Sequence, residues 1–212
     1  MAGTKETDMQ TKEDTLAILS ALLIVAACGK PEGTRYFPEP TKGERSEYSI
    51  QYIVPGGTVV NATMITRVAG EEPINGQRYW KSVSTTSGIP GAEQSIVYKR
   101  WTPSGVFRID KADSAGSTPP EHLAIPFPLQ VGIHWEEVSK FETILYKVES
   151  EEIVDLTGRT FPNCIKIRIA GKLASGESVD GWEYAAPGVG MIKQVLKSPR
   201  GTIEFTLTKD ER

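Results

Sequence analysis

From about Ser46 onward the apolar residues recur with a period of two rather than 3.6, which restricts this part of the chain to strands. Tyr48, Ile50 and Tyr52 alternate with Ser49, Gln51 and Ile53, and Val60, Ala62, Met64 and Thr66 form a second such row. The clearest case is Cys164 to Ile169, where Ile165, Ile167 and Ile169 share one face and Cys164, Lys166 and Arg168 the other. Turn signals separate the runs: Pro55-Gly56-Gly57, Asn75-Gly76, Pro103-Ser104-Gly105, Thr157-Gly158, Ser175-Gly176 and Pro199-Arg200-Gly201. The pattern predicts about ten antiparallel strands; Phe141–Glu152 is the stretch most open to a helical reading. With no helices to cover the apolar face, the sheet must curl on itself or fold into two layers. The expected architecture is all-β: a curved half-barrel or clam-like sheet over 45–212, preceded by a signal helix.

The N-terminal region follows other rules. Thirteen uncharged, mostly apolar residues run from Leu16 to Cys28 and end in Val25-Ala26-Ala27-Cys28. Such a run is too short to cross a bilayer, which takes about 20 residues, but it fits the apolar part of a secretory signal. A cysteine directly after the small residues is the acceptor of bacterial lipoproteins, whose several acyl chains give stable anchoring. Residues 1–27 are therefore expected to be a signal peptide, Cys28 the lipid anchor, and 28–44, Pro/Gly-rich with Pro31, Gly33, Pro38 and Pro40, a flexible tether. The acids Glu6, Asp8, Glu13 and Asp14 depart from the usual positive start. Gly29 and Lys30 lack an aspartate that would resemble an inner-membrane retention signal, so the expected location is the outer membrane, facing the periplasm or the cell surface.

Cleavage before Cys28 leaves 185 residues, enough for one domain, with 22 basic and 23 acidic side chains. A nearly neutral surface argues against nucleic acid as a partner. With Cys28 acylated, Cys164 has no disulfide partner.

The chain also reads as a diverged duplication of 46–110 and 132–196 at an offset of about 82–85 residues. Val68 through Asn75-Gly76 parallels Val148 through Thr157-Gly158, and Tyr98 through Phe107 parallels Tyr184 through Ile192. The Pro-rich link Ser117–Pro128 lies between the halves. Trp80, Trp101, Trp135 and Trp182 fall at similar places in them and are either core filling or the lining of a ligand cavity. A seam between two halves is a natural place for a ligand.

Three segments carry a family resemblance. Pro128-Leu129-Gln130-Val131-Gly132-Ile133-His134-Trp135 resembles a "PL-x-VG-x-x-W" opening; Thr157-Gly158 to Phe161 with Cys164-Ile165-Lys166-Ile167 is similar to a "GTF-x-C-x-K-V" strand. Glu183-Tyr184-Ala185-Ala186-Pro187-Gly188-Val189-Gly190-Met191-Ile192-Lys193 resembles a "YAPGVG-x-VK" hairpin. Together they resemble the TapB-like domain-of-unknown-function family of secreted and lipid-anchored bacterial proteins, over about 45–208. One extra residue before Cys164 and the doubled alanine at 185–186 depart from its pattern. The resemblance implies an exported β domain and transfers no activity. In physical terms, Pro187 fixes an extended predecessor, while Gly188 and Gly190 permit a positive φ or a bulge.

Catalytic sets are sparse. Cys164 beside Lys166 and Arg168 could be an activated thiol, yet neither His122 nor His134 sits in a catalytic motif, and a structural thiol is favoured. The two histidines lack metal-ligand spacing, so no metal is expected. The acid pairs Glu71-Glu72, Glu136-Glu137 and Glu151-Glu152 read as solvated strand edges rather than a glycosidase pair. No serine lies in G-x-S-x-G. The expectation is a non-enzymatic envelope lipoprotein without cofactor. It would bind an apolar ligand or an envelope component; an envelope scaffold with a packed interior comes second, and a cell-wall hydrolase third.

Overall fold

The computed structural model describes residues 35–88, 94–110, 120–138, 142–173 and 175–212; Cys28 and the expected signal peptide lie outside them. Alternation yields twelve strands rather than ten. The first six are β1 (Arg45–Ile53), β2 (Val59–Ile74), β3 (Gln77–Ser87), β4 (Gln94–Thr102), β5 (Gly105–Asp110) and β6 (His122–Pro126). The second six are β7 (His134–Val138), β8 (Glu142–Leu156), β9 (Arg159–Leu173), β10 (Ser178–Ala186), β11 (Gly190–Ser198) and β12 (Gly201–Glu211). The ambiguous stretch after Phe141 is strand β8, and the Pro-rich link contributes β6. No α-helix occurs among the described residues.

The strands form one antiparallel sheet in the order β6-β5-β4-β3-β2-β1-β12-β11-β10-β9-β8-β7. Consecutive strands pair, and β12 returns to β1 over a ladder from Arg45–Glu211 to Ile53–Thr202. Only the junction between β6 and β7 carries no ladder, so the expected curved all-β sheet is a nearly closed barrel. Side chains bridge this last junction: Trp135 donates its indole N–H to the Ala124 carbonyl at 2.8 Å, and His122 meets Glu137 at 2.8 Å.

The two sets of six strands match in detail. The hairpin β2–β3 turns at Asn75-Gly76 with φ of 49° and 79°, and β8–β9 at Thr157-Gly158 with φ of 51° and 77°. Positive φ at both central residues is the twist a two-residue hairpin needs, which selects Asn-Gly and explains the glycine. Both hairpins also carry a bulge at the corresponding place, Val68/Gly70 against β3 and Val148/Ser150 against β9. The equivalent of the open β6–β7 junction is the fully laddered β12–β1 junction.

Lys99 on β4 and Glu183 on β10 identify the inner face. Five strands lie between theirs in the sheet, yet each is near enough to act on the other's charge, which places both on the inner side of the barrel. Register then carries the inner face outward from them. Gln194, Phe205 and Ile50 continue from Glu183 in one direction, and Ile167 and Val148 in the other. Trp80, Arg108 and His122 continue from Lys99.

Two apolar clusters fill one end of the barrel. Tyr36, Leu129, Trp135, Val148, Ile165, Ile167 and Ala185 form the first, and Tyr48, Phe161, Cys164, Ala186, Ile192 and Leu207 the second. The segment Arg35–Glu39 lies across this end. Its Arg35 carbonyl accepts from the Gly188 N–H at 2.5 Å, and Tyr36 donates to Glu151 at 3.1 Å. Trp101 donates to the Phe37 carbonyl at 2.9 Å, and Trp80 to Glu39 at 3.0 Å.

Wrapping twelve strands demands sharp local bending, and Gly171 and Gly181 supply it. A Cβ at Gly181 would overlap the Val195 carbonyl oxygen, and one at Gly171 the Thr143 carbonyl oxygen. Gly181→Ala is therefore expected to lower the unfolding free energy by about 2 kcal/mol or more, read as the midpoint of urea denaturation. The exposed Val59→Ala serves as control and should shift it little. Equal midpoints for Gly181→Ala and wild type would show that the bend tolerates a side chain.

Candidate ligand-binding interior

An eight-stranded barrel is about wide enough for its inward side chains to meet, and more strands leave a wider interior. Here the inward residues away from the capped end are incompletely covered. Thr66, Ser82, Ser84 and Val97 on β2–β4, and Leu196, Ile203 and Phe205 on β11 and β12, each keep part of their surface open. Lys99, Glu183 and Gln194 do the same although protein surrounds them. These inward side chains are thus less tightly covered than those of the capped end. The walls of the barrel interior, its lumen, differ in character. Small hydroxyl and aliphatic side chains make up the β2–β4 side, Leu196, Ile203 and Phe205 the partly accessible part of the opposite side, and Ile50, Ile167, Ile169, Val148 and Ile144 are packed and buried.

Glu137 organises the polar groups at the seam. It is 3% exposed, and its carboxylate accepts from Tyr146 Oη at 3.1 Å and faces Arg108 Nη1 at 3.2 Å and His122 Nε2 at 2.8 Å. Both carboxylate oxygens are thus engaged, which is what a buried charge requires. Alternation explains the place of Glu137: Trp135 and Glu137 face in, while His134, Glu136 and Val138 face out and are exposed. The expectation that Glu136-Glu137 is a solvated pair therefore holds for Glu136 and is corrected for Glu137.

Glu183 accepts from Gln194 Nε2 at 2.8 Å. Desolvation dominates its environment and pushes its carboxyl up to about 7, against smaller lowering effects from Gln194 and Lys99. Burial likewise lowers the Lys99 ammonium from its ordinary value, reinforced by the charge of Arg108.

The four tryptophans divide. Trp80 and Trp101 face the lumen and hold the capping segment through their indole N–H groups. Trp135 is inward and buried at the seam, stacked on Tyr146 with centroids 4.9 Å apart and planes 9° from parallel. Trp182 lies on the outer face, next to the inward Glu183, with Arg168, Lys197 and Lys166 within 4.5, 5.5 and 5.8 Å of its ring centre. The structure thus brings three of the four to the interior. Alternation along β10 is the signal that separates Trp182 from them.

Cys164 is fully buried in the second apolar cluster, apart from the outward Lys166 and Arg168, because a left-handed residue at Asn163 (φ 54°) interrupts the alternation. Its Sγ–H points to the Phe161 carbonyl at 3.2 Å, and desolvation pushes the thiol up to about 11. At neutral pH it is protonated and enclosed. Among the described residues no group of three or more His, Cys, Asp and Glu side chains is placed to hold a metal. Lys99, Arg108, Tyr146, Glu183 and Gln194 are lumen residues that motif reasoning does not single out.

Glu183 yields a pH-dependent stability with a defined sign. Its folded-state pKa near 7 exceeds the ordinary value of 4.5, so the folded state holds the proton more tightly and loses stability as pH rises from about 4.5 to 7. Glu183→Gln removes this loss. The variant should gain roughly 2–3 kcal/mol on wild type between pH 4.5 and pH 8 in urea titrations. A pH-independent difference between the two proteins would show that Glu183 is solvated.

No family model matches the chain, and no curated protein matches it in sequence. Two solved structures resemble it in shape. One, from Parabacteroides distasonis and described as a lipoprotein, is 12% identical, with a TM-score of 0.46 over 84% of this chain and 99% of its own. The other, from Bacteroides fragilis and described as exported, with a YmcC-like fold, is 11% identical, with a TM-score of 0.50 over 81% of this chain and 97% of its own. The twelve-stranded sheet of this chain accordingly has a YmcC-like fold.

Proposed function

We propose that the chain is a non-enzymatic envelope lipoprotein, anchored through Cys28 to the outer membrane, whose barrel binds an apolar ligand or an apolar part of an envelope component. One observation supports the binding role: inside the ring of strands, inward side chains of β2–β4 and of β10–β12, Lys99, Glu183 and Gln194 among them, remain partly accessible. The partly accessible Leu196, Ile203 and Phe205 suit an apolar ligand, and the segment Arg35–Glu39 lies across one end. The compartment rests on the Leu16–Cys28 signal, and the TapB-like motifs belong to the same reading. The description of the Bacteroides fragilis protein as exported is in keeping with it. A hydrolase is disfavoured because both oxygens of Glu137, the buried acid at the seam, already have partners.

A second reading, a docking scaffold, draws on the outer face of β7 and β8. Val138 and Leu145 are 56% and 54% exposed and lie diagonally on adjacent strands, with Ile153 further along β8.

Native mass spectrometry of the protein extracted from bacterial membranes in mild detergent tests both parts of the proposal. The expected spectrum shows the chain cut before Cys28 with its acyl additions, plus a defined non-covalent apolar ligand that also appears in the organic extract. An unmodified Cys28 would overturn the anchor. An acylated protein with no bound molecule would overturn the binding role in favour of the scaffold.

A further inference from the structure

The outer face of β9–β11 gathers positive charge around two aromatic rings. Register sets Lys166, Arg168 and Lys172 of β9, Asp180, Trp182 and Tyr184 of β10, and Lys193, Val195 and Lys197 of β11 on this side. Five cations thus share the face with one acid, in a chain whose two charge signs nearly balance. Arg168 pairs with Asp180, while Lys166 and Lys193 reach Glu152 and Glu204 on the flanking strands at 3.6 and 2.7 Å. Lys172 and Lys197 are exposed and have no acidic partner among the described residues. Trp182 and Tyr184 are both partly open to solvent, and the Lys166 ammonium lies 5.8 Å from the centre of each ring. On the neighbouring strand β8, Leu145 is in register with Ala170 and is 54% exposed. Rings, an open leucine and lysines are therefore interleaved on one side of the sheet.

We propose that this face rests on the anionic head groups of the membrane that holds Cys28, with Trp182 and Tyr184 at head-group level and the cations against lipid phosphates. The proposal rests on the reading of Cys28 as the acylated anchor. Chain length brings the face within reach of that membrane. Arg35 accepts a hydrogen bond from Gly188, in the turn between β10 and β11. Seven residue steps join Cys28 to Arg35 and reach at most about 25 Å. Trp182 is six residues from Gly188 along the same strand, about 20 Å from the turn. Composition favours lipid over a protein partner. Lysine is depleted at protein–protein interfaces, whereas indole and phenol rings mark the level of the head groups and basic residues gather at anionic leaflets. The long lysine stems let each charge reach a phosphate while the rings stay at the apolar boundary.

Tryptophan quenching in vesicles tests this. The protein is extracted from bacterial membranes, its acylation is checked by mass, and it is reconstituted into phosphatidylcholine vesicles with or without about 30% phosphatidylglycerol. Part of the lipid carries bromine near the head-group end of its acyl chains and quenches any indole that reaches it. With phosphatidylglycerol present, bromine should quench wild type about two-fold or more as strongly as Trp182→Phe. Omitting phosphatidylglycerol, or combining Lys172→Gln with Lys197→Gln, which leaves the ion pairs of the face intact, should each lower the quenching by about a third or more. Circular dichroism of the variants checks the fold. Acylated wild type quenched no more than Trp182→Phe would overturn the membrane face, leave the anchor standing and return the face to a protein partner. Quenching indifferent to both phosphatidylglycerol and the double lysine variant would overturn the part given to the cations. A Cys28 without acyl mass would overturn the anchor and this proposal with it.

Discussion

Twelve antiparallel strands close almost completely on themselves, and most features of this molecule follow from that closure. In a narrower barrel the side chains of opposite walls would meet, and an inward lysine or glutamate would sit in dry protein at a cost of several kcal/mol. Here Lys99 and Glu183 project from opposite walls and still keep accessible surface. The interior tolerates these charges where they keep partial exposure, and one end of it is closed. The two apolar clusters and the Arg35–Glu39 segment provide that closure at one end, where Tyr36 is almost wholly buried.

The seam is the second consequence. Ten consecutive junctions and the β12–β1 return are made by backbone ladders, while β6 and β7 meet through side chains. Glu137 is the centre of that contact: it ties β5 through Arg108, β6 through His122 and β8 through Tyr146. Trp135 adds a backbone contact at Ala124 and stacks on Tyr146. A buried carboxylate with three partners is stable only as a complete set, so the polar seam and the lumen charges form one coupled unit. The junction that breaks the six-strand match is also the one held by the buried Glu137 and its partners.

Much of the fold was legible in the amino-acid order. Alternation at Tyr48–Tyr52, Val60–Thr66 and Ile165–Ile169 gives the inward rows directly, and Asn75-Gly76 and Thr157-Gly158 mark two turns whose φ values match what such pairs adopt. The number of strands and the degree of closure were not legible, because closure depends on cumulative twist and on bends at Gly171 and Gly181 that leave no local signal. The interior was only partly legible. Trp80, Trp101 and Trp135 stood out by residue type, whereas the inward position of Glu137 needed the strand boundary at His134. Lys99 and Glu183 look like ordinary surface charges until the sheet closes and brings β4 opposite β10. Cys164 shows the opposite failure: strict alternation puts it beside two cations, and a single left-handed residue at Asn163 moves it into the core.

The central claim is that the space between Lys99 and Glu183 is open to solvent or ligand. A crystal structure at a resolution that orders internal water addresses it most directly. The account predicts ordered water or an elongated ligand between the two walls, with density reaching the Lys99 ammonium. Direct van der Waals contact between the β2–β4 wall and the β10–β12 wall, with no intervening density, would contradict it.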